Sequence, residues 1–154
     1  MGEPEDLPDN GVNIVIKNPA GEILLVQHNY GDFKWSLPGG GIKKGELSNK
    51  AVRRELYEET KLTIVGRPIL VADIQLVIKW RHKVLLFTAP EWEGEPEADG
   101  NEISAVKFMS IKNIQNHPHV YPAQKKFIQI FEASYLKLPL PVYALASDPP
   151  IIEW

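Results

Sequence analysis

The 154-residue sequence predicts a single α/β domain in which a mixed β-sheet lies between helices. Two observations lead to this fold class. Short β-branched, apolar segments occur both before and after a central segment with helical periodicity, and a second helical segment follows late in the chain. This order of elements predicts a mixed sheet with helices on both of its faces.

Composition and charge exclude several classes of protein. The chain is 44% hydrophobic and 24% charged, with a formal net charge of -3, which argues against a protein whose main role is to coat nucleic acid. The chain has no cysteine, so disulfides and thiolate metal sites are excluded. No signal peptide or membrane-length apolar run is evident. We therefore expect a cytoplasmic enzyme or binding protein.

The N-terminal part begins with residues 1–10, which are predicted to be a flexible leader. Two β-branched segments follow, Val12–Lys17 and Ile23–Gln27. The turn sequence at residues 18–21 lies between them, so they are predicted to form a hairpin. A polar loop and a short strand then lead into the glycines at residues 39–41.

The rest of the chain alternates between the two kinds of periodicity and predicts two helices and several strands. A proline at position 122 is typical of the first turn of a helix and predicts that the second helix begins there. The predicted elements are a helix over 47–60, strands within 62–78, a turn at 79–83, strands at 84–89 and 105–109, and a helix over 123–135.

Residues 11–138 are thus predicted to form the domain, followed by a Pro-rich tail at 139–154. This tail is predicted to be irregular, yet it is too apolar for a solvated linker. We expect it to pack on the domain or on a partner subunit, in which case the chain forms a homodimer.

The central helix carries three carboxylates on one face. At 100° per residue, Glu59 and Glu58 fall at about +40° and −60° from Glu55, so three like charges are close neighbours. One interpretation is a solvated surface on which nearby cations, such as Arg54, offset the charge. The other is a site for a hard cation, because Mg²⁺ prefers carboxylate and phosphate oxygens.

The segment before this helix favours the cation site. Residues 37–46, LPGGGIKKGE, form a Gly-rich loop whose backbone is able to approach an anionic ligand closely. Gly40, Glu46, Arg54 and Glu55, with Glu58 and Glu59, occur at the spacing G-x5-E-x7-R-E-U-x-E-E-x-G-U, in which U is a bulky aliphatic residue. This pattern resembles the box of the Nudix hydrolases.

The resemblance implies the α/β/α sandwich of that family and hydrolysis of a phosphoanhydride in a nucleotide or a nucleotide-linked compound. It implies Mg²⁺ as the cofactor, with Mn²⁺ as a substitute, bound by Glu55, Glu58 and Glu59 and by the carbonyl of Gly39. The glycines at 39–41 would contact the substrate. A metal-activated water would be the nucleophile.

The same resemblance implies roles for three further residues. Arg54 would orient the glutamates by ion pairing, and Glu46 would pair with it in a structural role. The general base is left open between Glu55, Glu58 and Glu102, which precedes the last strand of the predicted sheet. The alternative function is that of a non-catalytic Nudix-fold sensor, which binds a nucleotide without hydrolysing it.

Two positions depart from the family pattern: Lys61 replaces the box glycine, and Lys43 replaces a common glutamate. Arg81, at the predicted hairpin tip, is a candidate phosphate contact, although such a tip is more often only solvated. Nucleoside triphosphates, dinucleoside polyphosphates and RNA 5′ ends all stay open as substrates, with long nucleic acid disfavoured by the net charge.

Overall fold

A computed structural model describes residues 10–76, 83–135, 140, 142–145 and 152–153. The described strands are β1 (Asn10–Val15), β2 (Ile23–His28), β3 (Trp35–Ser36), β4 (Gly39–Gly41), β5 (Thr63–Ile64), β6 (Ile69–Leu76), β7 (Lys83–Thr88), β8 (Trp92–Glu93), β9 (Ile103–Met109), β10 (Val142–Leu145) and β11 (Ile152–Glu153). The described helices are α1 (Ser48–Thr60), α2 (Ile111–Asn116) and α3 (Pro122–Ser134).

The main sheet is mixed, which confirms the predicted fold class. Its six strands lie in the order β11-β10-β6-β7-β1-β4. Strand β1 runs parallel to β7 and antiparallel to β4, and β6 pairs with β7 in antiparallel register. A three-stranded sheet, β3-β2-β9, and a two-stranded sheet, β5-β8, complete the described strands.

Alternate side chains of the strands build two cores, one on each side. On β1, Val12 and Ile14 are buried in one core with Val52 and Leu56 of α1. Val15 points to the other face and belongs to the core that contains α3. Helices α1 and α3 therefore cover opposite faces, as the sequence predicted.

The predicted hairpin between β1 and β2 is only partly correct. The chain does turn at residues 18–21, and the amide of Leu24 donates to the carbonyl of Ile16 at 2.9 Å. However, β1 belongs to the six-stranded sheet and β2 to the three-stranded sheet. The strands diverge because each finds a longer partner elsewhere, β7 for β1 and β9 for β2.

Other differences concern short or terminal elements. Helix α2 and strand β10 were not predicted, and β10 lies within the segment that was predicted to be irregular. Thr60, the last residue of α1, is fully buried, and its hydroxyl donates to the Leu56 carbonyl at 2.7 Å. The leader up to residue 9, the hairpin tip with Arg81 and most of the tail lie outside the described residues. No helix among the described residues is long and apolar enough to cross a bilayer.

Lys61, the residue that replaces the box glycine, caps the C-terminal end of helix α1. Lys61 is left-handed, with φ 66° and ψ 7°, and its amide donates to the Tyr57 carbonyl. This conformation suits glycine, since a Cβ is disfavoured there. The Lys61 ammonium lies 5.4 Å from the centre of the Tyr57 ring, a contact that offsets part of the cost.

Replacing Lys61 with glycine should therefore stabilise the protein. We expect Lys61→Gly to raise the free energy of unfolding by about 0.5–1 kcal/mol, because glycine relieves the left-handed strain. Lys61→Ala is the matched control, since it removes the side chain but keeps the Cβ. Denaturant unfolding of both variants measures the effect, and equal stability of the two would contradict this interpretation of the helix end.

Candidate active site

A cavity of about 400 Å³ opens between the glycine strand β4, helix α1 and the start of α3. Its lining includes the predicted residues Gly39, Gly40, Gly41, Glu55, Glu59 and Glu102. Elements distant in sequence thus meet at one place, because β4 is the edge strand beside β1 and α1 packs across both.

Arg54 connects the carboxylates of this region to the glycine strand. Its Nε and Nη2 atoms lie 2.8 and 3.0 Å from the two oxygens of Glu46, which forms a bidentate pair. Its Nη1 donates to Glu55 Oε1 at 2.9 Å and to Glu58 Oε2 at 3.3 Å. Its Nη2 also donates to the Gly41 carbonyl at 3.0 Å. One guanidinium therefore fixes three side chains and one backbone segment.

The pairing also determines the charge states. The Arg54 guanidinium hydrogen-bonded to Glu46 lowers the pKa of that carboxyl to about 2, and the amide of Lys43 adds a second hydrogen bond to it. The same bonds raise the pKa of Arg54. Glu46 is thus ionised at all ordinary pH values and serves to hold Arg54, the structural role that the family resemblance implies for it.

Two glycines allow the helix carboxylates to lie against the loop. An ideal Cβ at Gly40 would lie 2.5 Å from Glu55 Oε1, so a larger residue would displace that carboxylate. A Cβ at Gly39 would lie 2.1 Å from the Val12 carbonyl oxygen. The Gly39 amide donates to Glu59 Oε1 at 2.9 Å. Gly40 thus supplies space for the Glu55 carboxylate, and Gly39 packs closely on β1 and donates a hydrogen bond to Glu59.

Glu59 carries the most unfavourable charge in the cavity. Its side chain is 6% exposed, and burial raises its pKa to about 8, against the opposing effect of the Gly39 hydrogen bond and with further contributions from Glu55 and Glu102. Burial also raises the pKa of Glu55, although the Arg54 hydrogen bond opposes this. A positive charge in the cavity would relieve both effects.

The donor set fits a hard divalent cation. Glu55 and Glu59 supply carboxylate oxygens, which Mg²⁺ prefers, and burial raises the pKa of both carboxyls, although Arg54 partly offsets this at Glu55. In the described parts of the chain, no three acidic or histidine side chains converge closely enough to enclose an ion. Glu58 is 52% exposed and faces Arg54, so it would have to turn to join them.

The remaining predicted residues are placed as follows. Glu102 lines the cavity as an exposed residue, and its backbone carbonyl accepts a hydrogen bond from the Asn29 amide at 2.8 Å. Arg81 lies outside the described residues.

The cavity also contains residues that the sequence did not indicate. They come from strands β1, β2 and β3, from helix α3 and from the loops after β2 and before α3, so no local spacing identified them; they are Asn13, His28, Tyr30, Ser36, Tyr121 and Gln124. Among them, His28 Nε2 lies 2.8 Å from the Ser36 hydroxyl, which itself donates to the Leu37 carbonyl at 3.1 Å. Burial lowers the pKa of His28, although the charge of Glu102 opposes this.

Comparison with known proteins identifies the relatives of this chain. The NUDIX domain model matches residues 7–131. Nudix hydrolase 5 of Arabidopsis thaliana is 32% identical over 128 residues, which cover 75% of this chain and 42% of that protein. The RNA pyrophosphohydrolase of Vibrio atlanticus (strain LGP32) is 35% identical over 95 residues, or 59% of this chain and 50% of that protein. The chain spans about half the length of the curated relatives it matches.

Solved structures share the fold. The MutT protein from Methanosarcina mazei Go1 matches with a TM-score of 0.72 and 22% identity, covering 88% of this chain and 100% of that one. The NUDIX domain of Shewanella oneidensis NrtR, complexed with ADP ribose, matches with a TM-score of 0.66 and 20% identity, covering 82% and 87%. At these identities the likeness shows the fold alone.

The raised pKa of Glu59 predicts a pH-dependent stability of the metal-free protein. A folded-state pKa of about 8, against the ordinary glutamate pKa of 4.5, means that the folded state holds the proton more tightly. This contribution to stability is fully present below pH 4.5 and is lost as pH rises to about 8. We expect the free energy of unfolding in chelator to fall by a few kcal/mol over this range.

Glu59→Gln should remove most of this fall in the free energy of unfolding with pH. Glu58→Gln, the same change at an exposed position of α1, should keep it. Measurement between pH 5 and 8.5 avoids the contribution of Glu46, with its pKa of about 2, which is lost only as pH falls below 4.5. The raised pKa of Glu55 and the lowered pKa of His28 also contribute in this range, so the effect of Glu59 is the difference in pH dependence between Glu59→Gln and the unmodified protein. An identical pH dependence of stability in Glu59→Gln and the unmodified protein would contradict the assignment of this effect to Glu59.

The hydrogen bonds of Arg54 predict that a positive charge alone, without the guanidinium geometry, does not maintain the stability of the protein at this position. Arg54→Lys should lower the free energy of unfolding by about 1–3 kcal/mol, because an ammonium cannot make the bidentate pair and the other bonds together. Arg67→Lys, on an exposed residue, is the matched control and should change stability by less than about 0.5 kcal/mol. Equal stability of the two variants in thermal unfolding would show that the network contributes little.

Proposed function

Because the chain belongs to the NUDIX family, we propose that it is a hydrolase that cleaves a phosphoanhydride bond with the help of a divalent cation. The substrate class is a nucleoside triphosphate or a compound linked to a nucleoside diphosphate. The observation that carries this proposal is the buried carboxylate of Glu59 beside the half-buried carboxylate of Glu55, both held against a glycine loop in a cavity of about 400 Å³.

The charge balance of the cavity supports a diphosphate ligand that arrives with its cation. Burying Glu59 beside Glu55 is costly while both are ionised, because Arg54 offsets only part of the burial of Glu55, and burial raises the pKa of both carboxyls. A free polyphosphate would add to this repulsion, whereas a cation bound to Glu55, Glu59 and the Gly39 carbonyl would reverse it. When bound, Mg²⁺ supplies charge neutralisation for the phosphates and raises the acidity of a water.

Three residues would then have distinct roles in the reaction. Arg54 holds Glu55 at the cavity wall through a hydrogen bond of 2.9 Å, so that carboxylate is positioned before the ligand arrives. Glu102 lines the cavity, and its carboxylate makes no ion pair with a described residue. It is therefore the general base we favour, since it is free to accept the proton of the attacking water. Glu58 is turned toward Arg54 and is the weaker candidate.

A substrate panel tests this function. Hydrolysis of nucleoside triphosphates, dinucleoside polyphosphates, nucleoside diphosphate sugars and triphosphorylated RNA 5′ ends should be measured with Mg²⁺ and with chelator. We expect turnover of at least one class, abolished by chelator. Glu59→Gln should reduce turnover at least about 100-fold, since even the outer partners of a bound metal commonly matter by 10–100-fold.

Glu102→Gln tests the base, and Glu95→Gln, on an exposed acid of the same loop, is its control. We expect Glu102→Gln to lower kcat by about 10²–10⁴-fold, because the amide of glutamine cannot accept the proton of the attacking water. Full turnover in Glu59→Gln would contradict the cation site. Nucleotide binding without turnover of any substrate would favour the alternative, a nucleotide sensor.

A further inference from the structure

Two side-chain amides in the cavity are oriented by the same backbone segment. Asn13, on β1, donates through Nδ2 to the carbonyls of Leu37 and Pro38 at 3.2 and 3.3 Å. Gln124, in the first turn of α3, accepts the Leu37 amide hydrogen through Oε1 at 3.1 Å. Because the nitrogen of one amide and the oxygen of the other are committed to the backbone, neither amide can be flipped without losing its hydrogen bond.

The second polar atom of each side-chain amide is not hydrogen-bonded to the backbone. Asn13 Oδ1 and Gln124 Nε2 make no hydrogen bond within the described residues, and both side chains line the cavity. The cavity thus presents one fixed acceptor and one fixed donor group. Neither group is charged, and an acceptor oxygen would repel a phosphate, so this part of the cavity suits a neutral portion of the ligand.

Aromatic rings line the same cavity. The ring centres of Tyr30 and Tyr121 lie 5.1 and 5.9 Å from that of His28, and all three residues contribute to the lining. Tyr30 is 58% exposed, so its ring is available at the mouth of the cavity. Clustered rings of this kind offer a surface on which a planar heterocycle packs.

We propose that Asn13 and Gln124 are specificity-determining residues that read the hydrogen-bonding edge of the substrate's nucleobase. The base packs on the Tyr30, His28 and Tyr121 side, a ring N–H or amino group donates to Asn13 Oδ1, and a carbonyl or ring nitrogen accepts from Gln124 Nε2. This inference rests on the proposed nucleotide substrate and deepens it. It predicts unequal binding of the four common bases, because a base that presents the wrong edge leaves these groups unpaired.

Gln124→Glu is the sharpest test. Glutamate is nearly isosteric and keeps the oxygen that accepts from Leu37, but it replaces the free donor with an acceptor. Gln129→Glu makes the same chemical change at an exposed position of the same helix and is the matched control. Asn13→Ala removes the acceptor independently, so the test does not depend on one variant folding; circular dichroism reports the folding of each.

The probes are the four nucleoside 5′-monophosphates, whose binding is titrated by NMR and requires no turnover. We expect the unmodified protein to separate its best and worst bases by about tenfold or more, and Gln124→Glu and Asn13→Ala to reduce or reorder this ratio. Gln129→Glu should keep it. Equal affinity for all four bases, or an unchanged ratio in folded Gln124→Glu and Asn13→Ala, would overturn the inference.

This experiment separates the two levels of the proposal. A base preference that depends on Gln124, found together with no hydrolysis of any substrate, would support the inference and contradict the proposed function. Hydrolysis without any base preference would leave the proposed function intact and contradict only the inference.

Discussion

The guanidinium group of Arg54 donates to three carboxylates and to the Gly41 carbonyl, and so joins helix α1 to the glycine strand. Both sides of the cavity depend on this connection. The bidentate pair with Glu46 keeps Arg54 in place, and Arg54 in turn keeps the Glu55 carboxylate beside Gly40, where a Cβ would collide with it. The box residues thus fix one another in sequence order: the Glu46 carboxylate fixes Arg54, and Arg54 fixes the Glu55 carboxylate.

The second constraint is the buried charge that this arrangement leaves uncompensated. Glu46, which precedes α1, is stabilised by Arg54 and has a lowered pKa, whereas Glu59, near the end of α1, accepts a hydrogen bond from the Gly39 amide and has a raised pKa. Two glutamates of one motif therefore have opposite electrostatic roles, set by their partners. Such a site is destabilised when it is empty and ionised, which is a cost that proteins accept at functional positions.

The sequence was sufficient to predict α1, α3, the antiparallel pair β6–β7 and the cluster of box residues, because each depends on local spacing. It did not predict the parallel pairing of β1 with β7, since two apolar strands joined by a turn signal look like a hairpin whichever sheet each joins. The same limit applies to the cavity. Asn13 and Gln124 are separated by more than a hundred residues, and only their shared contact with Leu37 reveals a common role.

A direct measurement of cation binding tests the central claim that the helix carboxylates form the cation site. Mn²⁺ should be titrated by calorimetry into the unmodified protein and into Glu59→Gln, with Glu95→Gln as the control for loss of one surface charge. The account predicts saturable binding in the unmodified protein and in Glu95→Gln, and affinity weakened at least about tenfold in Glu59→Gln. Equal Mn²⁺ affinity in all three proteins would contradict it.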